Sequence, residues 1–148
     1  MRIHYFEEDK QTILPIFLDV LRSIHYLPNS NSFEPGVTFD FPAGTDNDEE
    51  EVIQLVKKNI EAMVNKDKAV FRSTLEHPDA DYFDFLIDTQ RKYRFTELEM
   101  IEPFDPSTGR KNIHIRFEFL EDGLVEQYRY IFTSLKDKDG SWKIASID

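Results

Sequence analysis

Apolar positions change their spacing along this chain, and each change predicts a change of element. Ile13, Phe17, Val20, Leu21 and Ile24 recur at helical intervals, which predicts a helix over 10–26. Val52, Val56, Ile60 and Met63/Val64 draw a second helical stripe over 48–65. Asp67 is placed to cap a short helix carrying Val70, Phe71 and Leu75, which must end before Pro78. Asp81 is placed to cap a further turn with Tyr82, Phe85 and Leu86. Further on the period falls to two: Ile113, Ile115, Phe117 and Phe119 alternate with His114, Arg116 and Glu118, as in a half-buried strand. Shorter strand signals lie at 2–6 and at Val37, Phe39 and Phe41.

Turn chemistry joins the strands. Residues 92–104 alternate only loosely and lead into Asp105-Pro106-Ser107-Thr108-Gly109. Asp122-Gly123 is a two-residue hairpin signal, and Asp137 to Gly140 separates 124–135 from a closing strand at 141–147. Four strands linked in succession by hairpins predict an antiparallel sheet with one face buried, and so an α+β domain. Thr45-x-x-Asp48 fits a capping box, and five of the six residues from Asp46 to Glu51 are acidic, as suits a helix start.

Composition narrows the function classes. The chain has 148 residues, with 13 Phe, 6 Tyr and 1 Trp, enough large apolar surface for one packed core. Trp142, beside Ile144 in the closing strand, is expected to anchor that core. A formal charge of −11 repels phosphate backbones and anionic lipid heads, so neither nucleic acid nor a membrane is an expected partner. With no cysteine, disulfides, thiol catalysis and zinc–thiolate sites are excluded. Ile13 to Leu18 is apolar, but Glu7-Glu8-Asp9 stands where a signal peptide has positive charge. A complete N-terminus would then go with a cytoplasmic protein.

The amphipathic helix over 48–65, the Asn65-Lys66-Asp67 step into Lys68-Ala69-Val70-Phe71, and the closing Trp142-Lys143-Ile144 together resemble the nuclear transport factor 2-like superfamily. The resemblance covers residues 45–148. It implies a cone-like domain, with N-terminal helices packed on a strongly curved antiparallel sheet around a pocket. Residues 1–44 are then an extension of helix and short strand packed on the domain. Members of the superfamily are often dimers, so a homodimer is expected, and the fold serves isomerases, dehydratases, cyclases and non-catalytic domains alike.

Two sets of residues carry the candidate chemistry. Glu126, Tyr128 and Tyr130 share one face of strand 124–135 and are the pocket candidates. A carboxylate there can take a proton while a phenol donates to the developing oxyanion, as in an acid–base isomerase. The aspartate usual in isomerases of the resembling fold has no counterpart here. His114, Arg116 and Arg129 are the interface candidates, on a charged sheet face. His77, Asp79, Asp81 and Asp84 gather metal-type ligands, but Pro78 and the aspartates also serve turn and cap roles, and no metal is expected. If Gly140 is set as the glycine of a calcium loop, Leu135 and Ser146 fall at ligand positions, which argues for a plain turn. No phosphate loop or cofactor fingerprint is present, so no cofactor is expected. The expected function is a non-catalytic binding or protein-interaction domain, its partner basic or neutral. The alternative is a small cofactor-independent isomerase, lyase or cyclase acting on an apolar ligand.

Overall fold

A computed structural model describes residues 32–148. The expected strand at 2–6 and helix at 10–26 lie outside the described residues. The sheet is five-stranded, in the order β1 (Gly36–Val37), β2 (Lys92–Ile101), β3 (Lys111–Glu121), β4 (Leu124–Lys136), β5 (Trp142–Ile147). Two helices, α1 (Asn47–Asn65) and α2 (Lys68–Ser73), pack on it, and a 3-10 turn covers Asp84–Leu86.

β2 to β5 are antiparallel, as expected from the hairpin signals. β1 instead pairs parallel to β2, Val37 beside Phe95, so the sheet is mixed. The strand signal at 37–41 yields only these two residues, extended by a Thr38 N–H bond to the Phe95 carbonyl at 2.9 Å. Phe39 and Phe41 leave the sheet and pack against the core.

The loose alternation of 92–104 has a physical cause. Register shifts fall between Phe95 and Glu97 and between Leu98 and Met100. Each bulge adds a residue and resets the parity. Tyr93, Phe95, Leu98 and Ile101 can therefore stand opposite Phe119, Phe117, Ile115 and Ile113 without a strict period of two.

α1 starts one residue later than the Thr45 capping box proposes. Asp46 is the N-cap and accepts from Glu49 N–H at 2.7 Å, while Glu49 reaches back to Thr45 N–H at 3.1 Å. Lys66, at φ 57, ends the helix in the left-handed region, and Asp67 caps α2 through Val70 N–H at 3.0 Å. Asp81 does not act as a side-chain cap; Phe83 occupies that position without a cap bond, and Tyr82 and Phe85 are exposed.

Val52, Ile53, Val56, Ile60 and Met63 of α1 are fully buried over Phe95, Ile113, Ile115, Phe117, Phe132 and Ile144. Each such aliphatic side chain contributes about 1.5–3 kcal/mol. Asn59 is buried among them and donates to Thr74 Oγ1 at 2.7 Å, which ties α1 to the end of α2. The chain after α2 then closes the far edge of β5, with Ile144 N–H bonded to Thr74 O and Glu76 N–H to Ile144 O, both at 2.9 Å. Trp142 is buried as expected, and its Nε1 donates to Asp48 at 3.1 Å.

Candidate functional site

Among the described residues, burial on the core side of the sheet falls off toward the β3–β4 hairpin, where Leu124 and Tyr128 are half exposed. A row of aromatic rings runs there, with Phe117 and Phe119 buried, Tyr130 partly buried and Tyr128 half exposed. Phe117 stacks on Tyr130 with centroids 4.1 Å apart, and Phe119 stacks on Tyr128 at 5.5 Å. The pairing register puts Tyr128 opposite Phe117 and Glu126 opposite Phe119.

The three pocket candidates therefore share this face but differ in surroundings. Glu126 is exposed and Tyr128 is half exposed. The Tyr128 hydroxyl donates to Glu126 at 2.9 Å, and this bond to a carboxylate pushes the phenol's pKa up. Tyr130 lies deeper. Burial, and then the neighbouring Tyr93 phenol, pushes Tyr130 far up, and burial raises Tyr93 as well. Tyr93 donates its hydroxyl to the Leu86 carbonyl at 2.9 Å.

Two cations frame this end of the sheet. Arg91, just before β2, holds its guanidinium 4.4 Å from the Phe119 ring centroid, and its Nε donates to Glu121 at 2.9 Å. Lys66, projected by the left-handed end of α1, holds its Nζ 4.9 Å from the Tyr93 centroid. Burial, and then the positive charge of Arg91, lowers the Lys66 pKa. Between Lys66 and Arg91 runs an open groove of about 610 Å³, floored by Val64 and Ile87 and rimmed by Lys92 and Asp88. Asp88 is engaged by Lys68 at 2.5 Å. A chain of net charge −11 thus gathers Lys66, Arg91 and Lys92 at one groove beside an aromatic face.

Sequence reasoning missed Lys66, Arg91 and Tyr93 as site residues. The Asn65-Lys66-Asp67 step signals a helix end, not a charge aimed at a ring. Tyr93 belongs to the strand whose bulges blur its alternation.

The opposite sheet face carries the interface candidates. Arg116 and Arg129 are direct cross-strand neighbours, and Glu99 lies between them, hydrogen-bonded to Arg116 and 3.8 Å from Arg129. Arg94 and Glu118 pair at 2.6 Å. His114 parts from this group: it is buried, and its Nε2 meets Glu102 at 2.6 Å, while Asn112 donates to the same carboxylate at 2.8 Å. His114, and then Asn112, hold the Glu102 carboxyl below its usual range. Much of the acid partnering this face comes from Glu97, Glu99 and Glu102, in or just beyond β2, whose bulges hide it in the sequence.

Of the metal-type residues at 77–84, Asp84 is taken by Arg72 at 2.9 Å and Lys68 at 2.8 Å, which together hold it at about 2. Among the described residues no three His, Asp or Glu side chains converge on one point. Asp137 accepts from Asp139 N–H and Ser141 N–H, so it organises the β4–β5 turn. No helix among the described residues is long and apolar enough to cross a membrane. No protein-family model matches the chain, and no curated protein matches it.

Proposed function

We propose that this chain is a binding domain without turnover of its own, and that the groove between Lys66 and Arg91 receives a small ligand. The ligand class that suits it has a flat apolar body, to lie along the aromatic face, and an anionic group for Lys66 and Lys92. This reading takes the sheet to be curved as in the nuclear transport factor 2-like superfamily, with the groove at the open end of the cone, in a cytoplasmic protein.

One observation carries the proposal. Among the described residues, the cations of the groove and the phenols beside it have no unengaged carboxylate base, because Asp88 and Glu121 are paired and Glu126 stands in solvent bonded to Tyr128. The isomerase, lyase or cyclase alternative needs Glu126 desolvated, since a general base gains its raised pKa from burial. Interior volume for a reaction chamber is also taken, by Phe71, Phe95, Phe117, Phe132 and Ile60.

The test is an amide-resonance titration with aromatic fragments that differ only in charge. Carboxylate or phosphate members should move Lys66 and Gln90 to Lys92 saturably, and Lys66→Gln should weaken them about tenfold, the loss of one charge-assisted contact. Neutral and cationic analogues should bind less well. Shifts confined to other surfaces would remove the site. Conversion of any fragment by wild type but not by Glu126→Gln would replace the binding reading with the isomerase one.

A further inference from the structure

β4 is longer than the partner on its outer side. β5 lies beside Phe132 to Lys136 only, and the last exchange there joins Ile131 and Asp148, at 2.9 and 3.1 Å. In an antiparallel ladder, alternate residues turn both N–H and C=O toward the same neighbour. Ile131 turns its pair toward the β5 side, so Val125, Gln127 and Arg129, of the same parity, do so too. Among the described residues no strand meets those groups. Gln127 and Arg129 are exposed, and a shallow hollow lined by Glu99, Arg116 and Gln127 to Arg129 runs beside them.

Sheet edges are commonly protected by Pro, by bulges or by Lys. The segment from Leu124 to Tyr130 has no Pro, bulge or Lys, its two charges, Glu126 and Arg129, already face Tyr128 and Glu99, and the register shift of β4 against β5 falls later, at Thr133/Ser134. Its residues, Leu-Val-Glu-Gln-Tyr-Arg-Tyr, are rich in strand formers.

We propose that this edge pairs with the same edge of a second copy, antiparallel about a two-fold axis at Gln127. The register follows from the residues. Setting Gln127 opposite itself brings Val125 opposite the partner's Arg129, and it engages all three outward residues of each copy. Three such pairs, at two bonds each, give about six main-chain hydrogen bonds. On the aromatic face Leu124 then meets the partner's Tyr130, and Glu126 meets the partner's Tyr128. That phenol already donates to a carboxylate within one chain, so the same bond is available across the axis. On the other face Val125 covers the aliphatic stem of the partner's Arg129, whose charge stays near Glu99. The next register toward the hairpin turn would set Glu126 opposite Glu126, so like-charge repulsion selects against it. The surface is self-complementary, as a two-fold interface requires.

A seven-residue edge buries less than the ~1,600 Å² of a standard interface, so association is concentration-dependent. Two chains of charge −11 also repel, so added salt should strengthen it. Light scattering on the full chain from about 1 μM to about 1 mM spans the range in which weak specific pairing shows. The mass should rise toward twice the 17.5 kDa of one chain, and sooner at high salt. Gln127→Pro removes an outward N–H and leaves the β3 ladder intact, so it should stay folded by circular dichroism and remain a monomer. Because the chain has no cysteine, Gln127→Cys gives a second readout. Facing Cα atoms about 5.5 Å apart lie within disulfide reach, so mild oxidation should cross-link this variant far faster than Asp139→Cys on the β4–β5 turn. A single-chain mass throughout would overturn the proposal. So would a dimer that persists in Gln127→Pro, equal cross-linking of the two cysteine variants, or slow hydrogen exchange of the Val125, Gln127 and Arg129 amides in dilute monomer.

Discussion

The two halves of β4 obey one alternation and meet opposite fates. From Ile131 to Lys136 the strand lies between β3 and β5, with Phe132 fully buried beneath α1 and Ser134 buried beside it. From Leu124 to Tyr130 the same parity presents Leu124, Glu126 and Tyr128 to solvent, with Tyr128 stacked on the buried ring of Phe119. Parity decides which face a side chain joins. It does not decide whether anything lies on that face. Among the described residues, cover comes from α1 and from the Thr74–Glu76 segment that closes the β5 edge, while Leu124, Glu126 and Tyr128 at the hairpin end stay exposed. Structural cost should therefore fall on one half and binding on the other.

The widest separation should be between two aromatic residues of this one strand. Phe132→Ala empties a filled site and should cost about 3–5 kcal/mol. Tyr128→Ala should leave the urea midpoint close to wild type, because the ring is half in water and its partner Glu126 is exposed. Equal losses in the two variants would mean that the bare half is covered after all.

A smaller effect sharpens how the covered end is held. Lys111, opposite Ser134, reaches Glu49 at the start of α1 at 2.6 Å with both side chains largely buried. Hydrogen bonding from Lys111 holds the Glu49 carboxyl below its usual range. Lys111→Ala strands that carboxylate and should cost about 3 kcal/mol in chemical denaturation. A double variant with Glu49→Gln should recover part of the loss, whereas simple additivity would show that the pair is not coupled.

The smallest effect concerns pH. Asp84 is held at about 2 against an ordinary value of 3.8, first by Arg72 and then by Lys68. A carboxyl lowered on folding contributes stability that is present above the unfolded value and lost as pH falls through the folded one. Wild type should therefore exceed Asp84→Asn in urea midpoint at pH 6, and the difference should close between 3.8 and about 2. A difference that stays constant across that window would assign Asp84 a role independent of its charge.

The sequence by itself determined the local elements of the described residues, because helical and strand periods and turn chemistry are local signals. The stripe from Val52 to Met63, the Asp67 cap and the hairpin at Asp122-Gly123 all follow from residues close in the chain. It also placed Glu126, Tyr128 and Tyr130 on one face, and Arg116 beside Arg129 on the other. Its local misses were small, the α1 cap at Asp46 for Thr45 and the Asp81 cap that does not form, and the larger ones were non-local. The parallel pairing of Val37 with Phe95 joins residues far apart in the chain, and no local pattern distinguishes it from an antiparallel strand. The bulges of β2 broke the alternation that would have located Tyr93 and the glutamates beside Arg116. Only the tertiary structure decided that Glu126 is exposed, that His114 is buried, and that Lys66 and Arg91 meet at one groove. Burial and charge proximity depend on where helices end over a sheet, and that is fixed by packing between distant segments.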